Sequence, residues 1–384
     1  GEDDQHLITA LLGYEVNMLR SKSMNNEVRG YLKERGMQFA DMSSLNLDDY
    51  PLYKEWLQQN HLTLTRGLTN QLSLYLSLTY GYREYFTLNV NGRTDASNKF
   101  GSRSNERLLP VWSVSGMWNI QETFLKEASW LSEMRLRMSY GMQGNMLDGQ
   151  TPNMLITQQP INSYYNENVS NVYQFPNPNL KWESTTSWNI GTDLTFLKGR
   201  LSANLDVYKK ITTDLLVSRE LPSLIGYSSV MSNIGEVQNT GVELSLNSTN
   251  IRMDKLTWRT SFSLAYNKNK ITHLYGIMED VKDADGNVIG QREADDIKNK
   301  RFIGHDIDEI WDYKVVGIWQ EEEREEAAKY GQQPGDVHLL DKDMNYKYDN
   351  TDKEFQGTTM PRLRWSMRND FTLFKNFNIS FNMY

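Results

Sequence analysis

The densest run of metal-type donors is Asp341-Lys342-Asp343-Met344-Asn345-Tyr346-Lys347-Tyr348-Asp349-Asn350-Thr351-Asp352. Asp341, Asp343, Asn345, Asp349 and Asp352 place carboxylate or amide oxygens at loop positions 1, 3, 5, 9 and 12, with the Lys347 main-chain carbonyl at position 7. A hard cation such as Ca2+ takes roughly six to eight oxygens from one tight loop, and this spacing is suited to supply them. Two positions depart from that pattern: Tyr346 stands where a sharp turn favours glycine, and Asp352 is shorter than the usual glutamate. The competing reading is a solvated acidic loop. A cation here would stiffen the loop and not catalyse.

A second group is aromatic and amide-rich: Tyr164, Tyr165, Asn166, Asn168, Asn171 and Tyr173. Sugar rings stack on aromatics while amides bond their hydroxyls, so the group suits a glycan. Loop packing, or contact with another protein, would use the same residues, because tyrosine is enriched at protein interfaces. Arg93, Asp95, Lys99, Arg103 and Arg107 read as a charged loop whose members are solvated or paired. Enzymatic signatures are missing: there is no HExxH, G-x-S-x-G, P-loop or dinucleotide fingerprint. The five histidines are scattered, and His305, in FIGHDID, reads as structural. The expectation is a protein that is not an enzyme.

The elements that would carry these loops are strands. Among 384 residues, 39% are hydrophobic and the mean hydropathy is −0.64, yet there are 10 Trp, 21 Tyr and 13 Phe. Aromatic belts around a polar lumen produce that profile, as does an aromatic-rich soluble sandwich. A net charge of −8 disfavours nucleic acid as a partner. With no cysteine there is no disulfide framework or thiolate chemistry. No run approaches the about 18 apolar residues of a spanning helix, and GEDDQHLITA is no secretory signal.

Alternation with a period of two dominates. From residue 68 to 80 the even positions Leu72, Leu74, Leu76, Leu78 and Tyr80 are apolar, while Thr69, Gln71, Ser73, Ser77 and Thr79 are polar. About eleven such segments begin near residues 7, 68, 84, 110, 133, 185, 200, 237, 256, 362 and 376. Their connections alternate in length. Short ones lie at 81–83, 197–200, 249–255 and 374–376 and a medium one at 121–132; long ones lie at 21–66, 94–109, 144–183, 214–235 and 271–360. Short turns at one end and long loops at the other are the plan of a transmembrane antiparallel β-barrel, which a sandwich gives no reason for. The nine prolines are assigned to loops and strand starts, and residues 320–329 to a short helix stopped by Gly331. Single-chain bacterial barrels have even strand numbers, so eleven cannot close alone. The expectation is a single partial barrel domain over 1–384, cut at both ends.

ERLLPVWSVSGMWNIQETFLKEASWLSEMRLRMSYGMQGN (106–145) is similar to a "FPS.S.GW.IS.E.FL" strand and following "LR.SYG..GN" of the SusC/RagA family of TonB-dependent transporters. PNPNLKWESTTSWNIGTDLTFLKGRLSANLDVYKKITTD (176–214) resembles its "NP.LKWE.T...N.G.D" hairpin, and GYSSVMSNIGEVQNTGVELSLNST (226–249) its "N.G...N.G.E" strand. RFIGHDIDEIWDYKVVGIWQ (301–320) and KYGQQPGDVHLLDKD (329–343) match further landmarks, and the acidic loop stands where the family often has "D.NGDG.I...D". These landmarks span most of residues 60–384 in family order.

The resemblance implies a 22-stranded barrel of the bacterial outer membrane with a plugged lumen. It implies a SusD-like lipoprotein over the outer mouth, the TonB-ExbB-ExbD complex acting from the periplasm, and import of oligosaccharides or peptides. The plug and the last strands are not in this chain. A passive porin and a soluble glycan-binding β-sandwich are the alternatives in view.

Overall fold

The computed structural model describes residues 5–39, 41, 46–59, 63–98, 108–145, 153–162, 165–221, 224, 229–283 and 285–384. Eleven strands form one antiparallel sheet: β1 (His6–Asn25), β2 (Thr63–Tyr82), β3 (Phe86–Ser97), β4 (Leu108–Asn119), β5 (Leu131–Asn145) and β6 (Glu183–Phe196). Then come β7 (Leu201–Glu220), β8 (Ser229–Met253), β9 (Leu256–Leu274), β10 (Leu363–Leu373) and β11 (Phe377–Met383). Each pairs with its neighbour in chain order, so the sheet is an up-and-down meander, open between β1 and β11.

All eleven expected segments are present, but several are longer than the alternation suggested. The β1–β2 ladder continues out to Asn25↔Thr63, and β7 pairs with β8 as far as Glu220↔Ser229. A strand needs only about 9–11 residues to cross a bilayer, and beyond that height both faces are wet. The apolar alternation then stops while the backbone ladder does not. Arg93 and Asp95 accordingly lie within β3 and not in a loop. Pro160 is likewise inside a ribbon strand, Leu155–Asn162, where the register slips between Gln158 and Ile161. A bulge of that kind loses no ladder bond to proline.

The two faces of the sheet differ as the alternation requires. Leu72, Leu74, Leu76 and Leu78 are exposed on the outer face, whereas Ser73 on the other face is buried. Register carries the outer face across the sheet: Leu78 pairs with Val90, Val90 with Val114, Val114 with Tyr140, and Tyr140 with Trp188. This row begins near the short turns and ends near the long loops, as tilted barrel strands demand. So much contiguous apolar surface is incompatible with water and calls for lipid.

Two aromatic girdles bound that surface. At the short-turn end, Phe86 stacks on Trp118 (ring centroids 5.7 Å apart), Trp130 on Phe196 (6.0 Å), and Trp258 on Phe371 (5.4 Å). Toward the loops, Tyr140 meets Trp112 at 5.3 Å and Trp188 at 4.4 Å. On β9 the girdle residues Trp258 and Tyr266 are eight residues apart. At about 3.4 Å per residue and a tilt near 40° this is about 21 Å of height, close to the ≈ 25 Å apolar band of outer-membrane barrels.

Leu76→Arg should cost about 2–4 kcal/mol near the midplane and impair assembly, whereas Thr79→Arg on the opposite face should be tolerated. Heat-modifiable mobility of the full-length protein in gels reads both. Equal behaviour of the two variants would contradict an outward Leu76 and an inward Thr79.

Candidate functional site

The inner face of the sheet is a polar wall held by side-chain ladders between strands. Ser77 donates to Asn91 (2.7 Å) and Thr79 to Asn89 (2.8 Å), while Arg93 donates to Asp95 (2.7 Å), Ser73 (2.8 Å) and Glu15 (3.2 Å). Its strongest feature spans β5, β6 and β7. The Arg137 guanidinium donates two parallel bonds to the Asp193 carboxylate, both 2.9 Å, and a third to Asp206 at 3.1 Å. Asn204 and Asn189 donate to the same two carboxylates at 2.7 and 3.0 Å. Gly191 pairs with Arg137 on one side and Asp206 on the other. A Cβ there would collide with the Asp206 carboxylate and come within 2.9 Å of Arg137 Nη2. Glycine is what lets three charged side chains close over β6. Sequence reading missed this cluster, whose only trace was charge on polar alternates of three successive strands.

Above the membrane the connection between β9 and β10 folds into a unit of its own. Glu309–Asp312 pairs with Glu354–Thr358, and Val315–Ile318 with Val337–Leu339. Trp319 is buried, stacks on His338 at 3.6 Å, and donates its indole N–H to Gln332 at 2.7 Å. The expected helix runs as a 3-10 turn (Glu321–Glu323) and an α-helix (Arg324–Lys329). It ends on Gly331 at φ +70°, with the Gly331 and Gln332 N–H groups returning to Ala328 and Ala327. His305, expected to be structural, pairs with Glu309 at 2.9 Å, and Arg362 donates to the same carboxylate at 3.2 Å, tethering the unit to β10.

The acidic loop closes this unit. Asp341, Asp343 and Asp352 place carboxylate oxygens within 4.8 Å of one another. Asp352 is fully buried and accepts the main-chain N–H groups of Lys342 and Asp349, both at 2.8 Å, so it holds the two ends of the loop together. Asp341 accepts from Tyr346 N–H at 2.9 Å, and Tyr346 takes φ +63° in place of the glycine. Asn345 donates to Asp343 at 2.9 Å and accepts from Lys347 N–H at 2.7 Å. Asp349 stands outside the trio and caps the turn Asn350–Asp352, accepting from Thr351 N–H at 2.8 Å.

Desolvation and the neighbouring Asp341 push the Asp343 carboxyl up. Asp341 is held low: its own desolvation is outweighed by main-chain and side-chain donors, Tyr346 N–H first. Burial and the Asp341 carboxylate drive the Tyr330 hydroxyl up to about 12. Three crowded carboxyl groups with one pushed toward protonation form a donor set that fits a hard cation.

Of the aromatic–amide group, Tyr165 and Asn166 form the exposed turn between the ribbon strands Leu155–Asn162 and Glu167–Gln174, with Asn166 at φ +51°. Tyr164 lies outside the described residues, as do Lys99, Arg103 and Arg107.

The profile of the family described as "TonB dependent receptor-like, beta-barrel" matches residues 22–383. The chain belongs to that family. Among individual TonB-dependent receptors, it is 28% identical to receptor P26 of Formosa agariphila over 385 aligned positions, covering 98% of this chain and 37% of P26. It is 32% identical over 216 residues to SusC of Bacteroides thetaiotaomicron, covering 53% of this chain and 21% of SusC. The RagAB peptide importer in its "open-open" state superposes with a TM-score of 0.73 at 21% identity, over 99% of this chain and 38% of that one. The chain thus spans little more than a third of P26, and its strands are those of an outer-membrane TonB-dependent receptor barrel.

Arg137→Ala would leave Asp193 and Asp206 facing each other without their shared cation. The three side chains are partly exposed, so the loss should fall between surface and buried ion-pair limits, about 1–3 kcal/mol. Gly191→Ala should destabilise similarly, and Arg137→Lys should recover only part because the fork is lost. Urea midpoints of the full-length barrel in detergent check this, and an unchanged midpoint for Arg137→Ala would contradict it.

Proposed function

We propose that the protein to which this chain contributes imports oligosaccharides or peptides across the bacterial outer membrane, driven through TonB-ExbB-ExbD and assisted by a SusD-like surface lipoprotein. The observation that carries this reading is family membership across nearly the whole sheet, joined to a lipid-facing exterior and a polar interior. A soluble sandwich would bury the apolar face that here lies outward. In the proposed mechanism the girdled exterior anchors the barrel. The inner wall offers amides, hydroxyls and paired charges to a polar cargo, and the outer loops receive it. Tyr164, Tyr165 and Asn166 are proposed to contact cargo or the lipoprotein, Tyr165 and Asn166 from the exposed turn of the ribbon. A passive porin would share the exterior but have no need of energy coupling.

The test is co-purification of the tagged full-length protein from outer membranes in mild detergent. A stoichiometric SusD-like lipoprotein is expected, with cargo held between the two. A barrel recovered alone, conducting openly in planar bilayers, would overturn the importer reading in favour of the porin.

We also propose that the 341–352 loop binds Ca2+ through Asp341, Asp343 and Asp352, with Asn345, the Lys347 carbonyl and Asp349 as the further oxygens of the loop. Support comes from the convergence of the three carboxylates. Ca2+ should raise the thermal unfolding temperature of the intact protein, and Asp343→Ala should remove that shift; a shift that survives the substitution contradicts the assignment. The pH dependence has a definite sign. A carboxyl raised in the folded state favours folding when protonated and disfavours it as pH rises through its folded pKa, so Ca2+ relieves a penalty present at neutral pH. Acidification should therefore weaken the Ca2+ effect starting above the ordinary aspartate range.

A further inference from the structure

Up to the row in which Gln238 pairs with Lys270, the outward positions of the strands are nearly free of charge, and the exceptions, Lys209 on β7 and Lys268 and Lys270 on β9, are all of one sign. No carboxylate occupies an outward strand position up to that row among the described residues. All these cations stand at the long-loop end, at or above the second aromatic girdle.

Two of them, Lys209 and Lys268, flank a built feature. Cross-strand register puts Trp188, Lys209, Thr240 and Lys268 in one row, directly above the row Ile190, Val207, Val242 and Tyr266. Between the two rows the surface is hollowed into a groove of about 360 Å³, lined by Trp188, Ile190, Val207, Val242 and Tyr266. Lys209 and Thr240 form its upper rim. Strands lie about 4.8 Å apart, so the Lys209 and Lys268 backbones are about 10 Å apart with Thr240 midway. Two lysine side chains reach easily to a point above Thr240. Neither lysine has an ion pair, nor Thr240 a side-chain hydrogen bond, among the described residues.

We infer that this groove holds a phosphorylated lipid of the outer leaflet. The acyl portion lies against Ile190 and Val207 between the two rings, and the phosphate sits above Thr240, where both ammonium groups and the hydroxyl donate to it. Charge complementarity selects this occupant. A neutral lipid would leave two cations unpaired at the edge of the hydrocarbon, whereas an anionic headgroup at that height pairs both.

The test uses full-length protein, delipidated in detergent and exposed either to monophosphoryl lipid A or to the same lipid after phosphatase treatment, with bound lipid counted by native mass spectrometry. The wild-type protein should retain the phosphorylated form preferentially. Lys209→Gln with Lys268→Gln should reduce that retention by roughly tenfold or more, as expected for two lysines near an anionic group. Retention of the dephosphorylated lipid should not change. Arginine at both positions should restore binding, and Lys255→Gln, at a short turn, should have no effect. Heat-modifiable mobility establishes that each variant is folded. Undiminished retention by the double glutamine variant, equal loss of both lipid forms, or no rescue by arginine would each overturn the assignment.

Discussion

Hydrocarbon offers no partner to a main-chain N–H or C=O, and this constraint organises everything else in the molecule. A strand that crosses a bilayer must find all its hydrogen bonds on neighbouring strands. The consequence is an uninterrupted ladder from β1 to β11, each strand paired with the next in sequence. Short connections lie at one end. Long connections collect at the other end, where the chain is free to build ribbons, a capped helix and an acidic loop.

Once the ladder is in place, the period of two divides the side chains without further instruction. Odd and even positions along one strand meet different solvents, so the leucines of β2 face lipid while its serines and threonines bond across to asparagines of β3. The inner wall can then hold charge, provided the charge is paired. Arg137, Asp193 and Asp206 meet this condition through a bidentate bond and a glycine that makes room for them. Charge on the outer face is tolerated only near the interface, which is where Lys209 and Lys268 stand.

The parts of the structure governed by lipid were legible in the sequence, because lipid imposes a pattern on neighbouring residues. Eleven segments, their order and the alternation of connection lengths could all be read that way. Strand ends could not. Asn25 and Thr63 pair above the membrane, where both faces are wet and the alternation has vanished. Features that depend on register were equally hidden: Arg137 and Asp206 are far apart in sequence and meet only because β6 lies between β5 and β7. In the acidic loop, spacing pointed to the carboxylates that converge, but it did not show that Asp349 would cap a turn or that Tyr346 would adopt a left-handed conformation.

The facing of β2 is the most direct test, and no cysteine within these 384 residues has to be replaced first. Single cysteines would replace residues 72 to 79 one at a time in the full-length protein reconstituted in bilayers, each carrying a nitroxide label. Oxygen, which concentrates in lipid, should relax labels at positions 72, 74, 76 and 78 most strongly. A water-soluble nickel relaxant should act most at 73, 75, 77 and 79. Accessibility that alternates in this way is the predicted result; labels at adjacent positions that respond alike would contradict the account.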